Sequence, residues 1–264
     1  MEIFSQNIPG SFSLFVYALL FLTGLCAGFV DSIAGGGGLI SLPVLLSVGL
    51  PPQIALGTNK LQGSFGTLTA AYNYIRKGEA QLKDARMGIL LTFGGAVAGA
   101  WTVQQLEAAF IKHLIPFLLS GVLAYTLCSA KLGYENRKAT ISENLFYLIF
   151  GVGLGFYDGF FGPGTGSFWT AAYVILLGFN MTKAAGYTRL MNFVSNIVAL
   201  CVFIAGGNVL YSLGICMASG QMIGARLGSD MAIQKGAPLI RPIFMTVVFL
   251  TLVRLVYVNY ITGE

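Results

Sequence analysis

The sequence predicts an all-α, polytopic integral membrane protein of about eight to ten transmembrane or half-membrane helices, in two inverted repeats with glycine-rich helix breaks. Three observations predict it. The 264 residues are 56% hydrophobic and only 9% charged, with 35 glycines and a mean hydropathy of +0.77. Residues 3–30, 32–59, 87–106, 159–182 and 190–225 carry no charge at all. A glycine-rich motif with an embedded aspartate occurs twice, at 28–38 and 155–165.

A soluble domain carries roughly 25% charged residues, so ten acids and fifteen bases cannot cover this chain, and lipid must be its solvent. The net charge of +5 sits mostly in short loops between apolar runs, where it signals topology and excludes a nucleic-acid partner. Cys26, Cys128, Cys201 and Cys216 lie singly within apolar segments and read as helix-packing residues. The first apolar stretch has no basic region before it and no cleavage site after it, so it is expected to stay as a helix.

Two units organise the chain, residues 1–135 and 136–264. Gly28, Phe29, Asp31, Gly35 and Gly37 find identical partners at Gly155, Phe156, Asp158, Gly162 and Gly164. Further on, Gly57, Lys60, Leu61 and Gly78 match Gly186, Arg189, Leu190 and Gly207 at an offset two residues larger, which implies a loop insertion. Each unit reads as five apolar segments: 13–32, 39–50, 54–75, 87–105 and 110–131, then 144–161, 167–178, 182–205, 210–229 and 239–260. A twelve-residue helix reaches only about 18 Å, so 39–50 and 167–178 are half-helices or re-entrant pieces.

Orientation follows from the bases. Arg76, Lys77, Lys83 and Arg86 cluster in one loop, Lys131, Arg137 and Lys138 in another, and Arg226, Lys235 and Arg241 in a third, which places all three in the cytoplasm and both termini outside. The counterpart of the first loop, at 206–212, is uncharged, as an inverted second unit requires. A homodimer is open to such a chain, but no segment marks an interface.

The candidate site is a set of charges that the duplication puts in register. Asp31 and Asp158 each precede a glycine break, Gly35–Gly38 and Gly162–Gly166, a short helix, and then a base, Lys60 or Arg189. Ionisable residues inside a membrane face a cavity or pair with one another. Side-chain-free backbone at Gly36, Gly37, Gly38, Gly164 and Gly166, with Thr165 and Ser167, would bring helix N-termini and their N–H groups to an anion. Asn59, Thr188 and Asn192 add polar donors beside the two bases, as do Thr58, Gln62 and Asn196. Arg189 would grip an oxyanion through parallel N–H bonds, and Lys60 would act as a point charge. Asp31, Asp158, Gly35, Gly162 and Pro163 are then the coupling or hinge residues. The competing structural reading pairs Asp31 with Lys60 and Asp158 with Arg189 as internal neutralisation, with Asn73, Lys112, Lys183 and Arg254 as interfacial or packing residues.

Enzyme chemistry finds no residues to carry it. The sole histidine, His113, lies far from the GTGS stretch at 164–167, no His/Cys cluster could hold a metal, and the glycine runs lack the lysine of a phosphate-binding loop. No cofactor is expected; the partners are a small-anion substrate and the lipid bilayer.

The stretches GFVDSIAGGGGLISLP (28–43), LGTNKLQ (56–62), GFYDGFFGPGTGSF (155–168) and GQMIGARLGS (220–229) closely resemble the TauE/SafE family of membrane permeases, in its bacterial branch with the DSIAGGGG signature. The resemblance implies a bacterial inner-membrane secondary transporter exporting small sulfur anions such as sulfite, sulfoacetate or related sulfonates, and not an enzyme. Pro163 and Thr165 stand where the first copy has Gly36 and Gly38, so the half-sites are not equivalent. Expelling a monoanion from a negative cell interior is downhill by about 2.3 kcal/mol per 100 mV. Export thus needs no coupled ion, whereas import needs a cation, for which Asp31 and Asp158 are the available proton carriers.

Overall fold

The computed structural model describes residues 12–111, 114, 115, 118 and 138–236, and within them it contains helices and no strand. The expected segment 239–260 and most of 110–131 lie outside the described residues, as do Lys112, His113, Cys128, Lys131, Arg137, Arg241 and Arg254.

The N-terminal half supplies α1 (Leu14–Ala34), α2 (Gly37–Ser47), α3 (Pro52–Arg76) and α4 (Arg86–Gln104). In the C-terminal half, α5 (Glu143–Phe146) runs through a π-helical turn (Tyr147–Gly151) into α6 (Val152–Phe160), followed by α7 (Thr165–Leu176), α8 (Met181–Ala205) and α9 (Tyr211–Lys235). The expected boundaries hold within a few residues, except that α9 continues to Lys235 instead of ending near 229. Arg226, expected in a cytoplasmic loop, is therefore a helical residue. It donates to Asn73 Oδ1 at 2.7 Å and pairs with Asp230 at 3.1 Å, while Asn73 Nδ2 donates to Ser229 and Asp230. Asn73 is thus a fully buried polar tie between α3 and α9.

Local signals explain the ends. Gly35 adopts φ +86° and its N–H returns to the Asp31 carbonyl, which stops α1 with a residue that bears no Cβ penalty. Pro52 starts α3, where a missing N–H costs nothing. The Asn180 side chain caps α8 by accepting from Lys183 N at 2.9 Å. Lys183 itself lies over the Phe179 ring at 4.0 Å.

The short helices are as short as expected: 11 residues in α2 and 12 in α7 span only about 16–18 Å. The two-residue change in repeat offset falls in the breaks themselves and not in a later loop. Gly35 and Gly36 separate α1 from α2, whereas residues 161–164 separate α6 from α7. Trp169 and Tyr173, both fully buried, anchor α7 in an aromatic cluster with Phe146, Tyr147 and Phe179.

The longer helices pack through small residues, which is how membrane helices gain contact when lipid removes the hydrophobic drive. Side chains built on Gly24 or Gly28 of α1 would strike the α9 backbone at Met217 and Gln221, and those on Gly220 or Gly224 would strike α1 at Phe21 and Leu25. Gly95 and Gly99 of α4 meet α6 in the same way, as do Gly155 and Gly159 of α6 against α4. Large apolar side chains face outward instead: Leu14, Phe15, Leu22, Leu90, Phe93, Trp101, Ile215 and Leu227 are exposed. Cys26 and Cys201, read from sequence as packing residues, are also on this outer surface, and Cys216 is half-buried.

Three described helices, Leu14–Ala34, Arg86–Gln104 and Met181–Ala205, are long and apolar enough to cross a membrane. The chain is an all-α polytopic membrane protein. Replacing Gly224 by Leu should lower stability by about 3 kcal/mol through overpacking. Gly94→Leu, at an exposed position with open space around it, should leave the unfolding temperature in detergent unchanged.

Candidate functional site

Where the two glycine breaks cross, the chain has no room for side chains. A Cβ on Gly35 would stand 2.5 Å from the Gly166 carbonyl carbon, and one on Gly38 would stand 3.0 Å from Pro163 Cα. This crossing brings four buried charges together. Lys60 of α3 donates from Nζ to Asp158 Oδ1 at 2.7 Å and to the Asp158 carbonyl oxygen. Arg189 of α8 faces Asp31 of α1, with Nη1 at 3.6 Å from Oδ2.

The pairing is therefore crossed. Sequence reasoning set Asp31 against Lys60 and Asp158 against Arg189 within each half, but the breaks swap ends, so each acid reaches the base of the other half. A covalent offset of roughly thirty residues favours the local pair only if the chain can fold back. Here each base sits in a long helix beyond its own half-helix and meets the opposite break instead.

The two pairs differ in tightness. Asp158 also accepts from Ser195 Oγ through its other carboxylate oxygen, so both oxygens and the Lys60 ammonium are held. Asp31 Oδ1 accepts from Gly37 N at 3.1 Å, which places the acid on the α2 N-terminus expected to face an anion. Arg189 is 0% exposed, and none of its three side-chain nitrogens has a hydrogen-bond partner among the described residues. Its contact with Asp31 is too long for a hydrogen bond.

A small polar cavity of about 30 Å³ lies at the crossing. Of the residues singled out by sequence, Asp31, Gly35, Gly38, Asn59, Lys60, Asp158, Gly162, Gly164, Gly166 and Asn192 line it. Arg189 lies directly behind that wall: a Cβ on Gly166 would meet its Nη1 and the Asn192 amide nitrogen, both at 2.9 Å. Gly36, Gly37, Pro163, Thr165, Ser167 and Thr188 do not line the cavity. Ser167 Oγ reaches back to the Ala34 and Gly35 carbonyls, and Thr165 Oγ1 donates to the Gly162 carbonyl at 2.6 Å. Thr188 bonds Thr170 at 3.1 Å, and the Pro163 carbonyl accepts from Tyr157.

Gln62 and Asn196, noted beside the bases, also line the cavity; Gly63, Thr67 and Gln221 line it without having been singled out. Gln221 offered a signal, being the single side-chain amide of the segment 210–229. The acceptor oxygens of Gln62, Asn192 and Gln221 are buried without partners among the described residues. Asn59 is tied down, its Oδ1 accepting from Ser41 Oγ at 2.5 Å and from Gln62 Nε2 at 2.8 Å. No group of His, Cys, Asp or Glu among the described residues could hold a metal ion.

Secondary carriers hold their substrates where broken helices meet, in cavities bordered by paired intramembrane charges. Comparison with known proteins decides the family. Residues 20–255 match the family described as "Sulfite exporter TauE/SafE". The chain belongs to the TauE/SafE family. It is 45% identical over 240 residues to a "Probable membrane transporter protein" of Haemophilus influenzae, covering 91% of this chain and 94% of that one. Similarity to the "Probable membrane transporter protein YfcA" of Escherichia coli K12 is 43% over 239 residues, 90% of this chain and 89% of the relative. "Probable membrane transporter protein YdhB" of Bacillus subtilis is 27% identical over 226 residues, 81% and 88% of the two chains. No solved structure matches significantly. As a TauE/SafE member the protein is a membrane transporter and not an enzyme.

Breaking the clamped pair should be costly, since removing one partner strands a buried charge. Lys60→Met and Asp158→Asn should each destabilise by about 3–5 kcal/mol, and the double variant by less than the sum. Thermal unfolding in detergent measures this cycle.

Proposed function

We propose that this transporter moves a small sulfur-containing oxyanion, sulfite or a sulfonate such as sulfoacetate, out of the cell across a bacterial inner membrane. The observation that carries the reading is Arg189, fully buried against the cavity wall with five N–H donors and no hydrogen-bonded acceptor among the described residues. Desolvating such a group without an acceptor is expensive, and a planar oxyanion-matching fork makes the anion its natural complement. The remaining Lys60 N–H and the amide groups of Asn59 and Asn192 complete a donor set around it. The family description, sulfite exporter, supports the ligand class and the direction.

The two halves act as an inverted repeat whose crossed breaks are the moving parts. Matched hydrogen bonds support this: Ser41 bonds Gly37 O and Asn59, and Thr170 bonds Gly166 O and Thr188. Rocking one half against the other at Gly35 and Gly162 opens the cavity to alternate sides.

Purified protein in liposomes, given labelled sulfite and a panel of sulfonates, should show saturable exchange. Arg189→Gln should reduce it at least 100-fold and Arg189→Lys about tenfold, because an ammonium lacks the fork. Asn192→Ala should raise the half-saturating concentration with smaller loss of rate. Undiminished exchange in Arg189→Gln overturns the site, and flux that never saturates points to a channel.

A further inference from the structure

The unequal tightness of the two ion pairs points to a coupling device, resting on the reading of Arg189 as the anion ligand. We propose that an anion arriving at Arg189 displaces Asp31 and that Asp31 takes up one proton as it leaves, so that anion and proton cross together.

Charge counting comes first. Asp31, Asp158, Lys60 and Arg189 sum to zero, so a bound monoanion leaves one unbalanced negative charge buried in low dielectric. One proton restores neutrality. Asp158 cannot take it without giving up Lys60 Nζ at 2.7 Å and the bond from Ser195. Asp31 can, because its contact with Arg189 is 3.6 Å and its side chain, 13% exposed against 4% for Asp158, borders the cavity.

Other charged neighbours among the described residues do not compete. Arg189 from α8 and Asp158 from α6 face Asp31 across the crossing, and α2 offers only the Gly37 N–H. On α3, Lys60 is committed to Asp158, and the Tyr74 hydroxyl donates to the Ser32 carbonyl. On α9, Arg226 and Asp230 pair with each other and with Asn73. In the step itself, Arg189 N–H groups turn from Asp31 Oδ2 to the anion's oxygens, and Oδ2 binds a proton delivered by cavity water. Oδ1 keeps the Gly37 N–H. Reversal on release restores the Arg189–Asp31 pair for the empty return.

Transport is then electroneutral, and the product of the anion and proton gradients sets its direction. A cell that generates the anion internally expels it when its excess outweighs the pH difference.

The test counts protons. Full-chain protein in weakly buffered detergent solution with a pH dye is titrated with methanesulfonate, a strong-acid anion that does not itself titrate. About one proton should be taken up per anion bound, and affinity should fall about tenfold per pH unit on the alkaline side. Asp31→Asn should bind without proton uptake, and Asp31→Glu should restore it. Binding without uptake in the unaltered protein overturns the proposal, as does undiminished uptake in Asp31→Asn. If that variant does not fold, the unaltered protein's count decides alone. No methanesulfonate binding, or equal binding by Arg189→Gln, overturns the anion-site reading and this one with it.

Discussion

Two cationic side chains buried inside a lipid-embedded fold must each find a counter-charge, and in this protein each finds it in the other half of the chain. That requirement fixes much else. Crossed pairing needs the two helix breaks to pass within touching distance, which only glycine backbone at Gly35 and Gly166 permits. The breaks in turn shorten α2 and α7 to half-helices, and these are held from outside by α3 and α8. Aromatic packing around Trp169 on one side and the Ser41–Asn59–Gln62 network on the other keeps the half-helices in place.

The two helix pairs that frame this crossing, α1 with α9 and α4 with α6, use the same device of backbone-to-backbone contact through glycine. Such interfaces are flat and close, and they carry few interlocking side chains. In the proposed rocking, each such helix pair would move as one body while the crossing between them changes shape. The polar ties lie elsewhere, at Asn73 between α3 and α9 and at Thr58, which accepts from Leu210 N where α9 begins. In the proposed rocking, bending would fall at the positive-φ glycines of the breaks, Gly35, Gly162 and Gly164.

Much of the fold was legible because lipid imposes a simple code. Charge-free runs gave the helices, and the short runs after Asp31 and Asp158 gave the half-helices. Boundaries failed where polarity no longer tracked the helix: α9 runs on past Arg226 because that arginine is satisfied by Asn73 and Asp230 inside the fold. The site residues were legible as types, since any acid or base in an apolar run stands out. Their partners were not, because sequence order says nothing of which break passes over which base. Gln221 and Thr67 entered the cavity wall from helices whose sequence shows no duplicated motif at those positions. Thr188, Ser167 and Thr165 went the other way: they do not line the cavity, and their hydroxyls bond Thr170 and the Gly35 and Gly162 carbonyls.

Pro163, Thr165 and the lysine–arginine difference marked the half-sites as unequal in the sequence, but not where the inequality would fall. One acid is gripped by an ammonium and a hydroxyl, and the other touches its arginine only at ion-pair distance. Lysine and arginine lead naturally to that outcome. A compact ammonium places two of its three N–H groups on one carboxylate and one carbonyl, whereas a guanidinium with five donors cannot be satisfied by a single oxygen at 3.6 Å. With lysine in one half and arginine in the other, one acid–base pair is closed by hydrogen bonds and the other is not. In the proposed cycle the clamped pair would be the fixed neutral floor against which the open pair changes partner, a division of labour that two identical half-sites could not provide.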